Sequence, residues 1–450
     1  MIFPLPLAPF EEYMLLDDRS SHPMSFFLKL IFSGKSEPEG IDDALQSALR
    51  RHPLLSATVR ETKKDRFFWF LSQPEEIVVS WVPRDEKLSA SHIDLFSEPG
   101  LRVSARRQDR ETELLFQFHH ACCDGIGALR FIEDLLVAYA ATDCGDNNGR
   151  DRRSVFRPID DRCLLGRGRF GLTAWKLLKI AHRQARGLLG VRQFLMRRPV
   201  PLQPIETASV TAELPIDFPN TIAHQFSEAE TTGLLTAARK AEKTVNDVLA
   251  RDLFLAMSDF RSSRQLGNEN EWLRLSIPMN LRSQEDVQLS ASNVVSMVFL
   301  DRQSQDFANA ETLLDSVNDE MQLIKTNQLG LTFPLSLQFS RPLPGAISRL
   351  RKLCGKPSCR GTAVLSNLGR PLQEVPLARC EGKIVSRGML LERMEFLPPV
   401  RPQTVVAFGV FTYVDRLHVA LQFDQRGLKK PEANELFRRF INRITETGGT

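Results

Sequence analysis

The 450-residue sequence lacks any continuous apolar run of the roughly 20 residues that a membrane-spanning helix requires. It also lacks a basic leader, and its first ten residues, MIFPLPLAPF, place prolines where a signal peptide needs a helical apolar core. We therefore expect a soluble protein of the cytoplasm. Hydrophobic residues at 42% and charged residues at 25% are close to globular averages, so the composition predicts a folded chain.

Cysteine pairs with a recognisable spacing are also missing. The 7 cysteines are an odd number, and none of them form a CxxC pair or a zinc-ligand spacing. This pattern favours buried thiols in a reducing compartment over a disulfide framework, and we expect no metal site. The sequence has no GxSxG nucleophile elbow, no P-loop and no HExxH zinc motif, which leaves few candidates for catalysis.

The net charge of +4 is small for this length and gives no reason to expect nucleic acid as a partner. The charge is unevenly distributed, because the stretch from Arg152 to Arg198 contains thirteen basic residues and only two acidic ones, Asp160 and Asp161. This basic segment has three possible uses: a solvated linker helix, a surface for an acidic carrier protein or for coenzyme A phosphates, or a helix that inserts Trp175 and leucines into an anionic membrane.

A chain of this length exceeds what one hydrophobic core supports, so two packed units are expected. Strand-like runs at Phe26–Phe32 and Phe67–Leu71 alternate with helical patterns such as Asp42–Arg51, which indicates an α/β or α+β class. The polar stretch Asp143–Asp151 predicts a boundary. We divide the chain into an N-terminal unit at 1–150, a basic linker or helical insertion at 151–215, and a C-terminal unit at 216–450.

Other helices are predicted from capping and periodicity. Capping boxes begin helices at Ser227 and Thr244, and a last helix runs over Pro431–Ile444. In the basic segment a helix over Leu172–Leu189 has a stripe of apolar residues opposite its basic residues, and prolines follow it. The stripe consists of Trp175, Leu178, Ala181, Ala185 and Leu188.

The candidate for chemistry is HHACCDG, which spans His119–Gly125. It follows the apolar strand pattern ELLFQF and precedes apolar positions at helical spacing, so it lies at a strand-to-helix turn. Adjacent side chains of an extended segment point to opposite faces, so His119 and His120 should not serve one site together. That geometry disfavours a metal pair. A catalytic base and a histidine pair satisfied within the core both stay open.

The remaining motif residues also allow more than one role. Asp124 could orient a histidine ring, hold the loop through an arginine, or stabilise the start of the following helix. Cys122 and Cys123 could provide a nucleophile next to histidine, although adjacent buried thiols are more often packing residues.

HHACCDG followed by Ile126-Gly127 resembles the HHxxxDG signature of the acyltransferase superfamily that includes chloramphenicol acetyltransferase, condensation domains of nonribosomal peptide synthetases, polyketide-associated acyltransferases, alcohol acetyltransferases and wax ester synthases. The plant-type DFGWG motif is replaced by SNLG, which resembles the bacterial and fungal branches. Further segments that resemble the family occur in the family's order, so the likeness covers nearly the whole chain. They are PLAPFEEYML, LRRHPLLSATV, EPGLRV, TVNDVLARDLFLA, SIPMNLRS, SNVV and VLSNLG.

The resemblance implies two chloramphenicol-acetyltransferase-like subdomains in a V, with a tunnel between them as the active site. It implies that His120 is the general base. His119, Asp124 and Gly125 would support the motif, and Arg282 would pair with Asp124.

Oxyanion stabilisation would come from the Gly125 backbone N–H and from Ser366 or Asn367. The alternative for Ser366 and Asn367 is a simple turn at the end of a strand.

The resemblance further implies direct transfer of an acyl group from acyl-CoA, or from acyl-phosphopantetheine on a carrier protein, to a small-molecule hydroxyl or amine. The thioester is a co-substrate, and no permanently bound cofactor is expected. Two alternatives stay open: a free-standing condensation-like domain that forms amide bonds between carrier-bound substrates, and a catalytically silent docking module. A length of 450 residues without an appended carrier domain favours a free-standing enzyme.

Overall fold

The computed structural model describes residues 2–34, 36–62, 65–72, 77–141, 156–206, 212–268, 270–356 and 358–449, and only the backbone at 174, 185, 186, 188 and 189. The predicted boundary at 143–151 lies outside the described residues. The elements before it are β1 Leu5–Pro6, α1 Pro9–Asp17, β2 Ser25–Ser33, α2 Pro38–Leu49, β3 Ala57–Thr62, β4 Arg66–Leu71, β5 Val79–Val82, β6 Leu101–Gln108, β7 Glu111–His119 and α3 Gly125–Ala141.

The second part of the chain begins with the helix of the basic segment. Its elements are α4 Ala174–Met196, β8 Asn220–Gln225, α5 Glu228–Lys240, α6 Val245–Ser262, β9 Trp272–Asn280, β10 Val295–Gln303, α7 Ala310–Thr326, α8 Thr332–Ser340, α9 Ala346–Gly355, β11 Ala363–Asn367, β12 Arg379–Cys380, β13 Lys383–Ser386, β14 Met389–Leu397, β15 Val406–Tyr413, β16 Arg416–Phe423 and α10 Lys430–Gly449.

Two large sheets organise these elements, and the mixed α/β class predicted from the sequence is confirmed. The first sheet has the strand order β12-β13-β14-β2-β7-β6-β5, and the second has the order β10-β9-β11-β15-β16-β8. A small sheet, β1-β4-β3, lies beside them. Each large sheet has its own hydrophobic core, as expected for a chain too long for a single one.

Strand β7 lies in the interior of the first sheet and brings the histidine motif there. Residues 112–119 are all buried, which explains the near-continuous apolar run ELLFQF. Its neighbour β2 pairs with it in antiparallel register, with Ser25 opposite His119. Phe26 and Phe118 stack with ring centroids 5.2 Å apart, and Phe131 of α3 packs edge-on against Phe118. The end of β7 is therefore held in a rigid aromatic core.

The first sheet also contains strands from late in the sequence. Strand β14 pairs antiparallel with β2, with Leu397 opposite Phe27, and brings β13 and β12 with it. The sequence predicts this stretch to belong to the C-terminal unit at 216–450, whereas its strands complete the sheet of the N-terminal unit. Single-sequence patterns contain no information on such long-range pairing. The V arrangement and its tunnel stay predictions.

The local predictions are largely confirmed. Ser227 and Thr244 form the predicted capping boxes, and Thr244 Oγ1 accepts from the Asp247 N–H at 3.3 Å. The predicted strands at 26–32 and 67–71 are β2 and β4. In the described part of the chain, no helix combines the length and apolar character needed to cross a membrane.

The helix of the basic segment differs from its prediction in length and orientation. It starts at Ala174 and runs to Met196, beyond the predicted end, because the first proline after it is Pro199. Trp175, Leu178 and Ala181 of the predicted apolar stripe are exposed, and Ile180 on another face is buried. The other two stripe residues, Ala185 and Leu188, lie outside the described side chains.

Part of the basic segment packs against the first unit. The Arg167 guanidinium is buried and donates Nε to Glu11 Oε1 at 2.6 Å and Nη2 to Glu11 Oε2 at 2.7 Å. The indole N–H of Trp69 donates to the same carboxylate at 2.9 Å. Residues around Arg167 are therefore a fixed part of the fold and not a solvated linker.

Candidate active site

The two motif histidines occupy different environments, as the alternation of an extended segment predicts. The His119 N–H donates to the Gly100 carbonyl at 2.8 Å, and the His120 N–H donates to the Met24 carbonyl at 2.7 Å. The His119 side chain is fully buried, whereas His120 is half-buried. These bonds to opposite neighbours fix the backbone where β7 ends.

His119 takes part in a cluster of polar side chains around Asp18. Its Nε2 lies 3.6 Å from Asp18 Oδ2, and its Nδ1 accepts from the Ala121 N–H at 3.2 Å. His92 Nε2 lies 2.5 Å from the same Asp18 oxygen, and Asp18 Oδ1 accepts from the Met24 N–H at 2.7 Å. Burial alone would raise the pKa of Asp18, but the two histidines hold that pKa far below its ordinary value. The Met24 carbonyl in turn accepts from the His120 N–H, so Met24 links this cluster to the histidine motif.

His120 is packed so that its neutral imidazole is favoured. The ring meets Phe26 edge-on at a centroid distance of 5.1 Å. Within the described part of the chain, its buried Nδ1 has no hydrogen-bond partner from another residue. Burial lowers the pKa of His120, and the charge of Asp124 opposes this effect only in part. A neutral histidine at physiological pH has the protonation state that a general base requires.

Asn293 clamps the backbone of His120 from the second half of the chain. Its Nδ2 donates to the His120 carbonyl at 2.6 Å and lies 3.3 Å from the Met14 sulfur. Its Oδ1 is buried and has no hydrogen-bond partner among the residues that the structure describes. Asn293 belongs to the SNVV segment, for which the resemblance implies no individual role.

Asp124 joins the motif to the segment between β9 and β10. Its Oδ1 caps α3 by accepting from the Gly127 N–H at 2.8 Å. Its Oδ2 accepts from Arg282 Nη1 at 2.8 Å and from the Val294 N–H at 2.7 Å. Arg282 Nη2 also donates to the Ser292 carbonyl at 2.9 Å. The predicted pairing of Asp124 with Arg282 is thus present, and both side chains are about 95% buried.

The ionised form of Asp124 is stabilised despite its burial. Burial alone would raise the pKa of this carboxyl group, but the Arg282 guanidinium and the two backbone N–H donors hold that pKa below its ordinary value. A carboxylate whose ionised form is stabilised in this way is a weak proton acceptor.

Close backbone approach explains the small residues of the motif. A Cβ on Gly127 would lie 2.8 Å from the Ser292 carbonyl oxygen, so only glycine lets α3 approach that segment.

The two cysteines of the motif, Cys122 and Cys123, are fully buried, and Cys122 packs against Gly100. Burial raises the pKa of both thiols well above the ordinary value, which makes a thiolate nucleophile unfavourable.

Gly125 and the SNLG segment are brought together across the two halves. A Cβ on Gly125 would lie 2.6 Å from Leu368 Cδ2, so the start of α3 directly faces the residue after β11. Asn367 is engaged within its own half, where Nδ2 donates to Asn246 Oδ1 at 2.6 Å and Oδ1 accepts from the Gly369 N–H at 2.8 Å. The Ser366 hydroxyl has no hydrogen bond to the described residues, and it is the freer of the two predicted oxyanion donors.

No cluster of three or more metal-ligating side chains is found among the described residues. Asp18, His92 and Asn293 were missed by sequence reasoning, because each is far along the chain from the motif that it supports. Only a polar asparagine next to the apolar pair Val294-Val295 hinted at Asn293.

No family model and no curated protein matches this chain in sequence. Solved structures match it in fold. The first condensation domain of the CDA synthetase superposes with a TM-score of 0.70 at 14% identity, over 99% of this chain and 95% of that domain. Polyketide synthase associated protein 5 from Mycobacterium tuberculosis superposes with a TM-score of 0.62 at 12% identity, over 99% of this chain and 98% of that protein. The trichothecene 15-O-acetyltransferase from Fusarium sporotrichioides superposes with a TM-score of 0.65 at 11% identity, over 98% of this chain and 95% of that enzyme.

The chain therefore has the fold of a condensation domain, which it shares with polyketide synthase associated protein 5 and the trichothecene 15-O-acetyltransferase. The resemblance predicted from the sequence is confirmed at the level of the fold. The likeness extends over nearly the full length of this chain and of the three relatives.

The ion pair of Asp124 and Arg282 should contribute strongly to stability. We expect Asp124→Ala and Arg282→Met each to lower the free energy of unfolding by about 3–5 kcal/mol, because each leaves a buried charge without its partner. Exchange of the two residues in Asp124→Arg/Arg282→Asp should recover part of the loss. Urea denaturation followed by circular dichroism measures these values.

A matched control is the exposed pair of Arg84 and Asp109, whose atoms lie 2.8 Å apart with side chains 65% and 74% exposed. Arg84→Met should change stability by less than about 1 kcal/mol. Single variants of the buried pair that unfold at the wild-type urea concentration would contradict a structural role for it.

Proposed function

We propose that this protein is a thioester-dependent acyltransferase that moves an acyl group from acyl-CoA or an acyl carrier protein to a hydroxyl or amine acceptor. The observation that carries the proposal is the placement of His120: a half-buried imidazole directly after a strand end, with a pKa lowered by burial and a carbonyl that accepts from Asn293, in a fold shared with an acetyltransferase. His119 and Asp124, in contrast, are engaged in structural contacts.

In the proposed reaction His120 removes the proton from the acceptor while the acceptor oxygen or nitrogen attacks the thioester carbonyl. A new carbon–oxygen or carbon–nitrogen bond forms, and the carbonyl becomes an oxyanion. Collapse of this intermediate breaks the carbon–sulfur bond, and the imidazolium returns its proton to the thiolate. Nε2 of His120 would accept the proton, since Nδ1 is buried. No acyl-enzyme forms.

The oxyanion would be stabilised by the Gly125 N–H and the Ser366 hydroxyl. Gly125 is the first residue of α3, so its N–H has no carbonyl partner within that helix and benefits from the helix dipole. Its contact with Leu368 brings the segment after Ser366 close to the motif. Donors in this position typically contribute about 10²–10³ in rate.

A second candidate function is amide-bond formation between carrier-bound substrates. It is favoured by the likeness to a condensation domain, which has the highest TM-score of the three relatives described above, at 0.70. This function would use the same histidine and differ only in the acceptor. An amine held on a carrier protein therefore distinguishes it from transfer to a free alcohol or amine. If neither reaction occurs, the remaining interpretation is a catalytically silent docking module of the same fold.

The first test is release of thiol from a panel of acyl-CoAs, short to long, with pooled alcohols and amines. Wild-type protein should release thiol only when an acceptor is present, and a folded His120→Ala variant should be slower by about 10²–10⁴-fold, the usual contribution of general-base catalysis. The same assay with acyl-carrier donors covers the second candidate. Equal rates in wild type and His120→Ala would exclude His120 as the base.

The activity should persist into mildly acidic solution. Because burial lowers the pKa of His120 below its ordinary value of 6.5, the imidazole stays neutral at pH 6.5 and becomes protonated only at lower pH. The acid limb of kcat/KM should therefore have its midpoint below 6.5, as measured between pH 4.5 and 8 with circular dichroism confirming the fold. A midpoint above 6.5 would show that the free-enzyme base is not His120 in this environment.

Asn293 should act as a positioning residue through the His120 carbonyl. We expect Asn293→Ala to lower kcat by about tenfold, the equivalent of one hydrogen bond of about 1.4 kcal/mol, with a smaller effect on KM. Asn318→Ala is the control, because Asn318 is also buried and donates through its amide, to Asp247 Oδ2 at 3.0 Å, but makes no hydrogen bond to the histidine motif. If both variants lower stability but neither changes kcat, Asn293 is only structural.

A further inference from the structure

Two segments of the surface contain no acidic residue at all. One is α4, Ala174–Met196, and the other is the stretch 332–356, which includes α8 and α9. Together we name them the basic apolar face. Half of the large apolar side chains exposed in the described part of the chain belong to this face. They are Trp175, Leu178, Leu195, Met196, Phe339, Leu343 and Leu353.

The outer side of α4 presents an apolar stripe. Trp175, Leu178 and Met196 are 64%, 67% and 67% exposed, and at 100° per residue all three lie on one side of the helix. The ammonium group of Lys179 lies 5.4 Å from the Trp175 ring centroid, beside the stripe. The helix is roughly 34 Å long, and these three residues lie near its two ends with the exposed polar residues His182 and Gln193 between them on the same side, so the stripe is interrupted and forms no pocket.

The inner side of α4 is already occupied. Ile180 packs with Leu331 and Leu335 in a small hydrophobic cluster, and Gly187 contacts Thr332. Gln184 Oε1 accepts from the Thr332 hydroxyl at 2.9 Å. The core of this chain therefore uses the other side of the helix, and the outer stripe has no partner among the described residues.

The stretch 332–356 extends the face with the same chemistry. It carries exposed apolar residues together with the exposed cations Arg349, Arg351 and Lys352, of which Arg351 pairs with Glu61 at 2.9 Å. Its inner side packs on α1, where Phe333 meets the rings of Phe10 and Tyr13 edge-on. The stretch is therefore anchored to the fold on one side and open on the other.

The charge of the face selects an anionic occupant. On α4, Lys179, Arg183 and Arg192 have no ion pair with a described acidic residue, whereas Lys176 reaches Glu285 at 3.3 Å. Exposed tryptophan and leucine beside unpaired cations on one helix is the pattern of helices that lie in the interface of anionic bilayers. Exposed apolar residues near both ends of a helix roughly 34 Å long suit an extended lipid surface, and the unpaired cations between them suit its anionic headgroups.

We propose that the basic apolar face binds the surface of an anionic membrane, with the apolar side chains in the headgroup region and the cations at lipid phosphates. Helix α1 lies between this face and the candidate site, since Tyr13 contacts Phe333 and Met14 contacts Asn293. Membrane binding would thus hold the candidate site close to lipid-dissolved molecules. The proposal does not depend on the acyltransferase activity.

The test is co-sedimentation of the full chain with vesicles of phosphatidylcholine and phosphatidylglycerol in a 7:3 ratio, at low and high salt. We expect binding at low salt that weakens with salt, with little binding to pure phosphatidylcholine. Trp175→Ser/Leu178→Ser and Lys179→Glu/Lys352→Glu should each weaken binding at least tenfold. Ile216→Ser/Lys240→Glu is the matched control, because it changes an exposed apolar residue and an exposed lysine elsewhere and should bind like wild type.

Tryptophan fluorescence gives an independent readout that needs no enzymatic activity. Brominated lipids in the same vesicles should quench wild-type emission, and Trp175→Phe should remove most of the quenching. Absence of vesicle binding at low salt, or equal weakening by the control variant, would overturn the proposal. Binding of a purified acidic acyl carrier protein by the face without any vesicle binding would also overturn it, and would assign the surface to a protein partner.

Discussion

The buried carboxylate of Asp124 is the contact on which the candidate site depends. It receives the Arg282 guanidinium, the Val294 N–H and the Gly127 N–H, so one side chain caps α3 and ties it to the segment between β9 and β10. These partners keep the charge stable at a position where an unpaired carboxylate would take up a proton. The turn that presents His120 is thereby fixed relative to the second half of the chain.

The site is composite because both halves of the chain supply parts of it. Asn293, from the segment held by Asp124, donates to the carbonyl of His120. Strand β14, also from the second half, completes the sheet that carries β7, and Leu368 faces Gly125. The candidate base is therefore oriented by tertiary contacts, and the general-base chemistry proposed for it requires both halves to be folded together.

The local sequence pattern predicts the strand-to-helix turn at the histidine motif. The long-range contacts that complete the site cannot be predicted from local patterns. The apolar run before His119 and the helical spacing after Gly125 predict β7 and α3, and the resemblance predicts the pairing of Asp124 with Arg282. The contacts of Asn293 leave no periodic signal, and neither does the pairing of β14 with β2, because both join residues more than 170 positions apart. Periodicity located α4, but which of its sides is buried depends on α8.

The most direct measurement of the central claim follows thiol release and intact protein mass in one sample of wild-type protein mixed with an acyl thioester, with and without acceptor. Direct transfer with His120 as a base predicts that thiol appears only with acceptor, as acylated product forms, and that the protein mass never changes. Release of thiol without acceptor, accompanied by a protein mass raised by one acyl group, would contradict the account and show a covalent acyl-enzyme.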